Sequence, residues 1–389
     1  MRPKTRFPGF SVFLGGGKRD RTADLLHAMQ ALSQLSYTPT REPRILGIEC
    51  DVVKRVRQVG EKISHRRDIV VGMRIALITP YSHAARNGNA HTAARWQRFL
   101  CGAGYRVGMT QSWDEGPTDL MIALHARRSH DSIARFAARH PDRPLLLVLT
   151  GTDLYRDIRF DMDAQHSLAL AHRIVVLQDR GPLELAEPLR VKTRVIYQSS
   201  PRLKPARKPS RSFDICVVSH LREEKDPFRA ALASRLLPSG SRIRIRHVGG
   251  SLEEGMVEQA GKLADECPRW HWLGPMPHGE ARRLIARGHL LVLSSRMEGG
   301  ANVICEAAAS GTPVLASCIA GNVGMLGEDY FGYFPVGDEQ VLAELMALAE
   351  NAPSFYRQLA DQCAARAPLF EPSRERAAVL ALVEECRCG

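Results

Sequence analysis

The chain has 389 residues, 44% hydrophobic and 25% charged, which suits two ordinary α/β domains and excludes wholesale disorder. The net charge of +12 invites nucleic acid as a partner, but residues 1–72 alone hold 14 Lys/Arg against 7 Asp/Glu, leaving +5 for the rest. Without a basic stripe interleaved with aromatics, a membrane-length apolar run or a signal-peptide centre, we expect a cytoplasmic protein whose partners are small anionic molecules, not nucleic acid or membrane.

Residues 1–72 show neither a period of 2 nor one of 3.6, and run through Gly15-Gly16-Gly17-Lys18-Arg19 without a β-rich segment. They read as a non-native or disordered extension. The texture changes at Met73, where Met-Arg-Ile-Ala-Leu-Ile-Thr-Pro reads as a first strand, so Met73 is the expected natural start. From there strand-like and helix-like stretches alternate, the signature of an open parallel sheet. Arg74–Thr79 is a strand, Pro80–Asn89 a loop, Ala90–Cys101 a helix, Asp119–Leu124 a strand and Ser129–Arg139 a helix. Leu145–Leu149 is a continuous apolar run suited to a central strand, and Ile174–Leu177 and Val195–Tyr197 close a first domain at 73–197. Residues 198–212, with three prolines and five basic residues, read as a stiff, solvated linker.

A second alternation fills 213–370: strands at Asp214–Val218, Arg242–Val248, Trp270–Leu273, Leu290–Ser294 and Pro313–Ala316, with helices at Met256–Glu266, Glu280–Arg287 and Val303–Ser310. A helical tail, 371–389, follows. Two such domains facing each other leave a cleft at the C-terminal ends of their strands. The nine cysteines contain no CxxC pair, Cys386 and Cys388 being the closest, so reduced thiols and no metal site are expected.

The chemistry concentrates in Ser294-Ser-Arg-Met-Glu298-Gly-Gly-Ala-Asn-Val-Ile-Cys-Glu306-Ala-Ala-Ala-Ser-Gly311-Thr-Pro-Val. A buried strand runs into a Gly-Gly turn and a helix begins directly after it. Free N–H groups at that helix start, approached closely through glycine, make an anion site suited to a diphosphate. Glu306, one turn into the helix, is placed for paired ribose hydroxyls, and Glu298, before the turn, for the sugar on the far phosphate. The first domain is expected to hold the acceptor: Asn87-Gly88-Asn89 precedes a helix whose N–H groups would face an anion, and His83, Arg86 and His125 lie near the same strand ends.

Glu298-x7-Glu306 with Gly311-x-Pro-Val resembles the donor motif of glycosyltransferase family 4, retaining enzymes of GT-B fold: two Rossmann-like open parallel-sheet domains facing a cleft. The resemblance implies that Glu298 supports the donor sugar, that Asn302 and Val303 offer backbone N–H to the phosphates beside the donor-binding Gly300 and Ala301, and that Glu306 holds the ribose. Val218-Ser-His-Leu-Arg-Glu-Glu-Lys-Asp-Pro-Phe resembles the family loop whose Arg and Lys clamp the diphosphate. Lys225 falls on the family's Lys; the family's Arg aligns with His220, and Arg222 lies two residues on. Trp272-Leu-Gly-Pro-Met276 resembles the loop that reads the base, and Thr150-Gly-Thr-Asp153 resembles the family's His-Gly-x-Asp with Thr150 in the His position. No cofactor or metal is implied.

Five stretches, at Asn87–Trp96, Leu149–Ile158, Val218–Arg229, Ser295–Val303 and Gly321–Gly327, together resemble the selenosugar synthases of selenoneine biosynthesis. That resemblance implies joining of selenophosphate to the anomeric carbon of UDP-GlcNAc or UDP-glucose, catalysed by Arg222, Lys225 and Glu298. A family 4 enzyme with a hydroxyl acceptor, a UDP-sugar epimerase and a non-catalytic nucleotide-sugar binder remain the alternatives.

Overall fold

The computed structural model describes residues 72–80, 88–204 and 206–388. The expected extension up to residue 71, and His83, Arg86 and Asn87, lie outside the described residues.

The first lobe is a six-stranded parallel sheet ordered β2-β1-β3-β4-β5-β6, from β1 (Arg74–Ile78), β2 (Arg106–Thr110), β3 (Leu120–Leu124), β4 (Leu145–Val148), β5 (Arg173–Val176) and β6 (Thr193–Val195). Every residue of β3 and β4 is buried, as strands covered on both faces require. Helices α1 (Gly88–Cys101), α2 (His130–Arg139) and α3 (Met162–Leu170) cover the sheet. The strand expected at Val195–Tyr197 lies earlier, at Thr193–Val195, and further details depart from the sequence reading. Strand β2 was not expected: Arg-Val-Gly-Met-Thr has no apolar run because it sits at the edge, alternately exposed. Gly88 and Asn89, expected in a loop, are the first residues of α1. The segment after β4 is wound into short turns between Asp153 and Phe160 before α3, where no helix was expected.

The second lobe repeats the plan with β7 (Phe213–Val218), β8 (Ile243–Val248), β9 (Trp270–Trp272), β10 (Leu290–Leu293), β11 (Val314–Ser317) and β12 (Tyr333–Phe334), ordered β12-β11-β10-β7-β8-β9. All its described pairings are parallel. Its helices are α4 (Arg229–Ser234), α5 (Met256–Glu266), α6 (His278–Arg287), α7 (Asn302–Ser310), α8 (Ala320–Leu326), α9 (Glu339–Asn351) and α10 (Pro353–Arg366). The last helix, α11 (Pro372–Cys388), returns to the first lobe: Val379, Leu380, Leu382 and Val383 join the core around Trp96 and Leu100 of α1. Between the lobes the proline-rich stretch is not solvated throughout, since Gln198, Ser199 and Ser200 are buried.

His247 on β8 is fully buried, its Nε2 3.1 Å from the Ser219 carbonyl and its Nδ1 without a hydrogen-bond partner among the described residues. Burial pushes its pKa down to about 4. The unfolded chain takes up a proton near pH 6.5 and the folded chain does not until about pH 4, so the stability present above pH 6.5 falls as the pH drops through that window. At about 1.4 kcal/mol per pKa unit, wild type should lose about 3 kcal/mol more than His247→Gln between those limits. Urea midpoints measured across that range check it; parallel curves for the two proteins would remove His247 as the cause.

Candidate active site

Strand β10 lies beside β7 in the second sheet, so the loops leaving their C-terminal ends emerge together. The loop after β7 carries His220, Arg222 and Lys225; the loop after β10 carries Ser294 to Ala301 and leads directly into α7. They are stitched by a bond from the Arg296 amide to the Glu224 carbonyl at 2.9 Å and from the Ser294 hydroxyl to the Asp226 carbonyl at 2.8 Å. This brings Lys225 Nζ to 2.5 Å from Glu298 Oε1, across 73 residues of sequence. Ser295 Oγ donates to the same oxygen at 2.6 Å. Glu298 is almost wholly buried, and a buried carboxylate needs such partners to stay charged.

Arg222 lines the same cavity. Its Nε is buried with no hydrogen-bond partner among the described residues, and the Glu224 carboxylate lies 3.9 Å away. His220 also lines the cavity, with Nδ1 3.3 Å from the Gly250 carbonyl. Both residues between which the sequence left the Arg position open therefore face one space, and they differ in how far hydrogen bonds already occupy them.

Helix α7 starts at Asn302, and no backbone bond from the Asn302 or Val303 N–H is present among the described residues, as the first turn of a helix dictates. Gly300, Ala301, Asn302, Val303 and Glu306 all line the cavity, and so does Met276. Glu306 is buried, with His278 Nε2 2.6 Å from its Oε1. The His278 ring lies 4.5 Å from the His91 ring of α1, tilted 33° to it, so it also bridges the lobes. Neither histidine was singled out from the sequence. His278 opens α6 directly after Pro277, a helix-start signal that carries no information about what the ring would touch.

The first lobe supplies the opposite wall. Gly88 and Asn89 stand at the start of α1, and a side chain at Gly88 would meet the Asn302 amide at 3.5 Å. His125 directly follows β3 in the left-handed region (φ 74°), an uncommon place for a residue with a β-carbon and a form of strain that concentrates at functional sites. Its Nε2 is 3.1 Å from Thr152 Oγ1; burial lowers its pKa, against the pull of the Asp153 carboxylate 3.9 Å away. Thr150 lines the cavity too. Asp153 does not, which corrects its expected place on the acceptor side. Its Oδ1 accepts from Thr150 N, Thr150 Oγ1 and Gly151 N, each at 2.9 Å, and its Oδ2 from Ala126 N at 3.0 Å. A fully buried carboxylate with four donors shapes the loop.

The cavity volume is about 300 Å³, the lower end of the range for small-molecule sites. Among the described residues no three His, Cys, Asp or Glu side chains are grouped to hold a metal ion, and no helix is long and apolar enough to cross a membrane.

Comparison with known proteins bears on the fold that carries this site. Residues 202–367 match the family described as "Glycosyl transferases group 1". No curated protein matches the chain by sequence. Among solved structures, Anabaena Alr3699/HepE in complex with UDP and glucose is similar at a TM-score of 0.65 and 16% identity, over 80% of this chain and 100% of that one. Sucrose-phosphate synthase from Thermosynechococcus elongatus gives 0.67 and 17%, over 81% and 99%. A glycosyltransferase from Rickettsia africae gives 0.61 and 12%, over 81% and 99%. At such identities the likeness is one of fold, and with the two parallel sheets it establishes a two-domain α/β chain of GT-B fold, of which residues 202–367 match the glycosyl transferases group 1 family.

Proposed function

We propose that the protein transfers the sugar of a UDP-sugar, UDP-GlcNAc or UDP-glucose, to the selenium of selenophosphate. One observation carries the donor half: Lys225, Arg222, Glu298, Glu306 and the free N–H groups of α7 border a single cavity. Cations and helix N–H groups suit a diphosphate, Glu306 suits the ribose and Glu298 the sugar carrying the developing positive charge. That HepE is described in complex with UDP-glucose favours the same donor class here.

For the acceptor, the resemblance to selenosugar synthases is supported by how the first-lobe groups are occupied. Thr150 donates its hydroxyl to Asp153, and His125 is engaged with Thr152. A hydroxyl acceptor profits from a positioned proton acceptor, whereas an anionic selenium needs none. An electron pair on selenium forms the C1–Se bond while the C1–O pair leaves with UDP. Water then cleaves the P–Se bond, releasing phosphate and the 1-seleno sugar. No electron is gained or lost overall.

Mass spectrometry after mixing the protein with UDP-GlcNAc, with and without selenophosphate, tests this. UDP and a product with the selenium isotope pattern are expected only when both substrates are present. Consumption of UDP-GlcNAc alone would indicate an epimerase or hydrolase, and turnover with sugar or lipid alcohols an ordinary glycosyltransferase. Glu306→Ala should weaken UDP binding by about 1–3 kcal/mol, the cost of leaving ribose hydroxyls unpaired in a buried site. Calorimetry showing unchanged affinity would take Glu306 out of the donor site.

A further inference from the structure

Arg95 of α1 is buried, and its three kinds of nitrogen reach three parts of the chain. Nε lies 2.6 Å from Glu375 Oε2 on α11, one terminal nitrogen 3.1 Å from Gln198 Oε1, and the other 3.4 Å from Asn302 Oδ1. Glu375 is 2% exposed and also accepts from Trp96 Nε1 at 2.8 Å and Ser199 Oγ at 2.5 Å, so both its oxygens are satisfied. A guanidinium has donors only, and therefore it must face the oxygen of the Gln198 amide and not its NH2. The NH2 is left to the Gly300 carbonyl, which only accepts, 2.7 Å away. With the ends so constrained, Gln198 has one permitted orientation. A planar peptide then fixes the Ala301 N–H once the Gly300 carbonyl is held.

We infer that Gln198, oriented by Arg95 and Glu375, is a positioning residue for the donor's diphosphate: it sets the Gly300–Ala301 peptide that opens the N–H-lined start of α7. This rests on the donor reading above. It makes the donor turn of the second lobe depend on the C-terminal helix docked on the first. Gln198 had no signal in the sequence, where it read as the first residue of a linker. In the structure it is 2% exposed and lines the cavity.

Two variants of the full chain test the role. Gln198→Glu keeps an acceptor for Arg95 and removes the donor to Gly300; Gln198→Met is uncharged and removes both. Calorimetry with UDP and magnetic-resonance titration with uridine separate phosphate from nucleoside recognition. Both variants are expected to bind UDP about tenfold more weakly, about 1.4 kcal/mol, and uridine as wild type does. Amide hydrogen exchange across residues 299–304 should quicken in both without any ligand. Unchanged UDP affinity in both variants, with wild type binding, would overturn the role alone. A parallel loss of UDP and uridine with a lower melting temperature would make Gln198 merely structural. A loss confined to Gln198→Glu would reduce it to charge repulsion. Wild type failing to bind UDP at all would bring down the donor reading, and this role with it.

Discussion

Lys225→Ala is expected to lower turnover by about a hundred- to a thousandfold, with a smaller change in the donor KM. The Lys225 ammonium group is held 2.5 Å from Glu298, which keeps that buried carboxylate compensated. A bound diphosphate would compete for the same cation and leave Glu298, still bonded to Ser295, to face the sugar. Charge on the diphosphate grows as the glycosidic bond breaks, so a fixed cation stabilises the transition state more than the bound donor. Such groups are typically worth about 2.7–4 kcal/mol. Breaking a buried pair also destabilises the fold, so melting temperature and turnover per folded molecule are to be measured together. Arg222→Ala and His220→Ala complete the test. The buried Nε of Arg222, without a hydrogen-bond partner among the described residues, favours it as the second cation, and its variant should lose turnover while the His220 variant loses less. Full turnover in both the Lys225 and Arg222 variants would place the clamp elsewhere.

Gly299→Ala is expected to lower turnover by about a hundredfold or more and to destabilise the chain by about 1–3 kcal/mol. A β-carbon at Gly299 would fall 0.9 Å from the Thr150 carbonyl oxygen. Here the two lobes touch backbone to backbone, and glycine is required by proximity and not by its φ. The Thr150 side cannot yield easily, because Asp153 holds the Thr150 and Gly151 amides at 2.9 Å. The added methyl must therefore push the lobes apart by roughly 2.5 Å to restore van der Waals contact. Displacements of about 1 Å at a reacting centre already cost about a hundredfold. Gly261→Ala is the control: it lies on α5 with open space at its β-carbon, and helix propensity alone should leave it stable and active. Wild-type turnover in Gly299→Ala would mean that the lobes need not approach this closely for catalysis.

Much of the architecture was legible in contiguous stretches of the chain. Leu145–Leu149 and Leu290–Ser294 announce buried parallel strands because burial on both faces demands unbroken apolar runs, and both become central strands within a residue of their expected ends. The Gly299-Gly300 turn, the helix start after it and the two flanking acids are equally local, since a free helix N-terminus is a property of one short segment. Other features waited for the tertiary structure. The edge strand β2 stays hidden because half of it faces solvent. Asp153 looks like a ligand-facing acid until four donors close around it. The pairing of Lys225 with Glu298 exists because β7 and β10 are neighbours, an order that no stretch of sequence states. Gln198 and Glu375 matter only because α11 folds back onto the first lobe and surrounds Arg95. Periodicity and turn chemistry act between residues close along the chain, whereas the partner of a buried charge is chosen by which loops and helices the sheet order brings together.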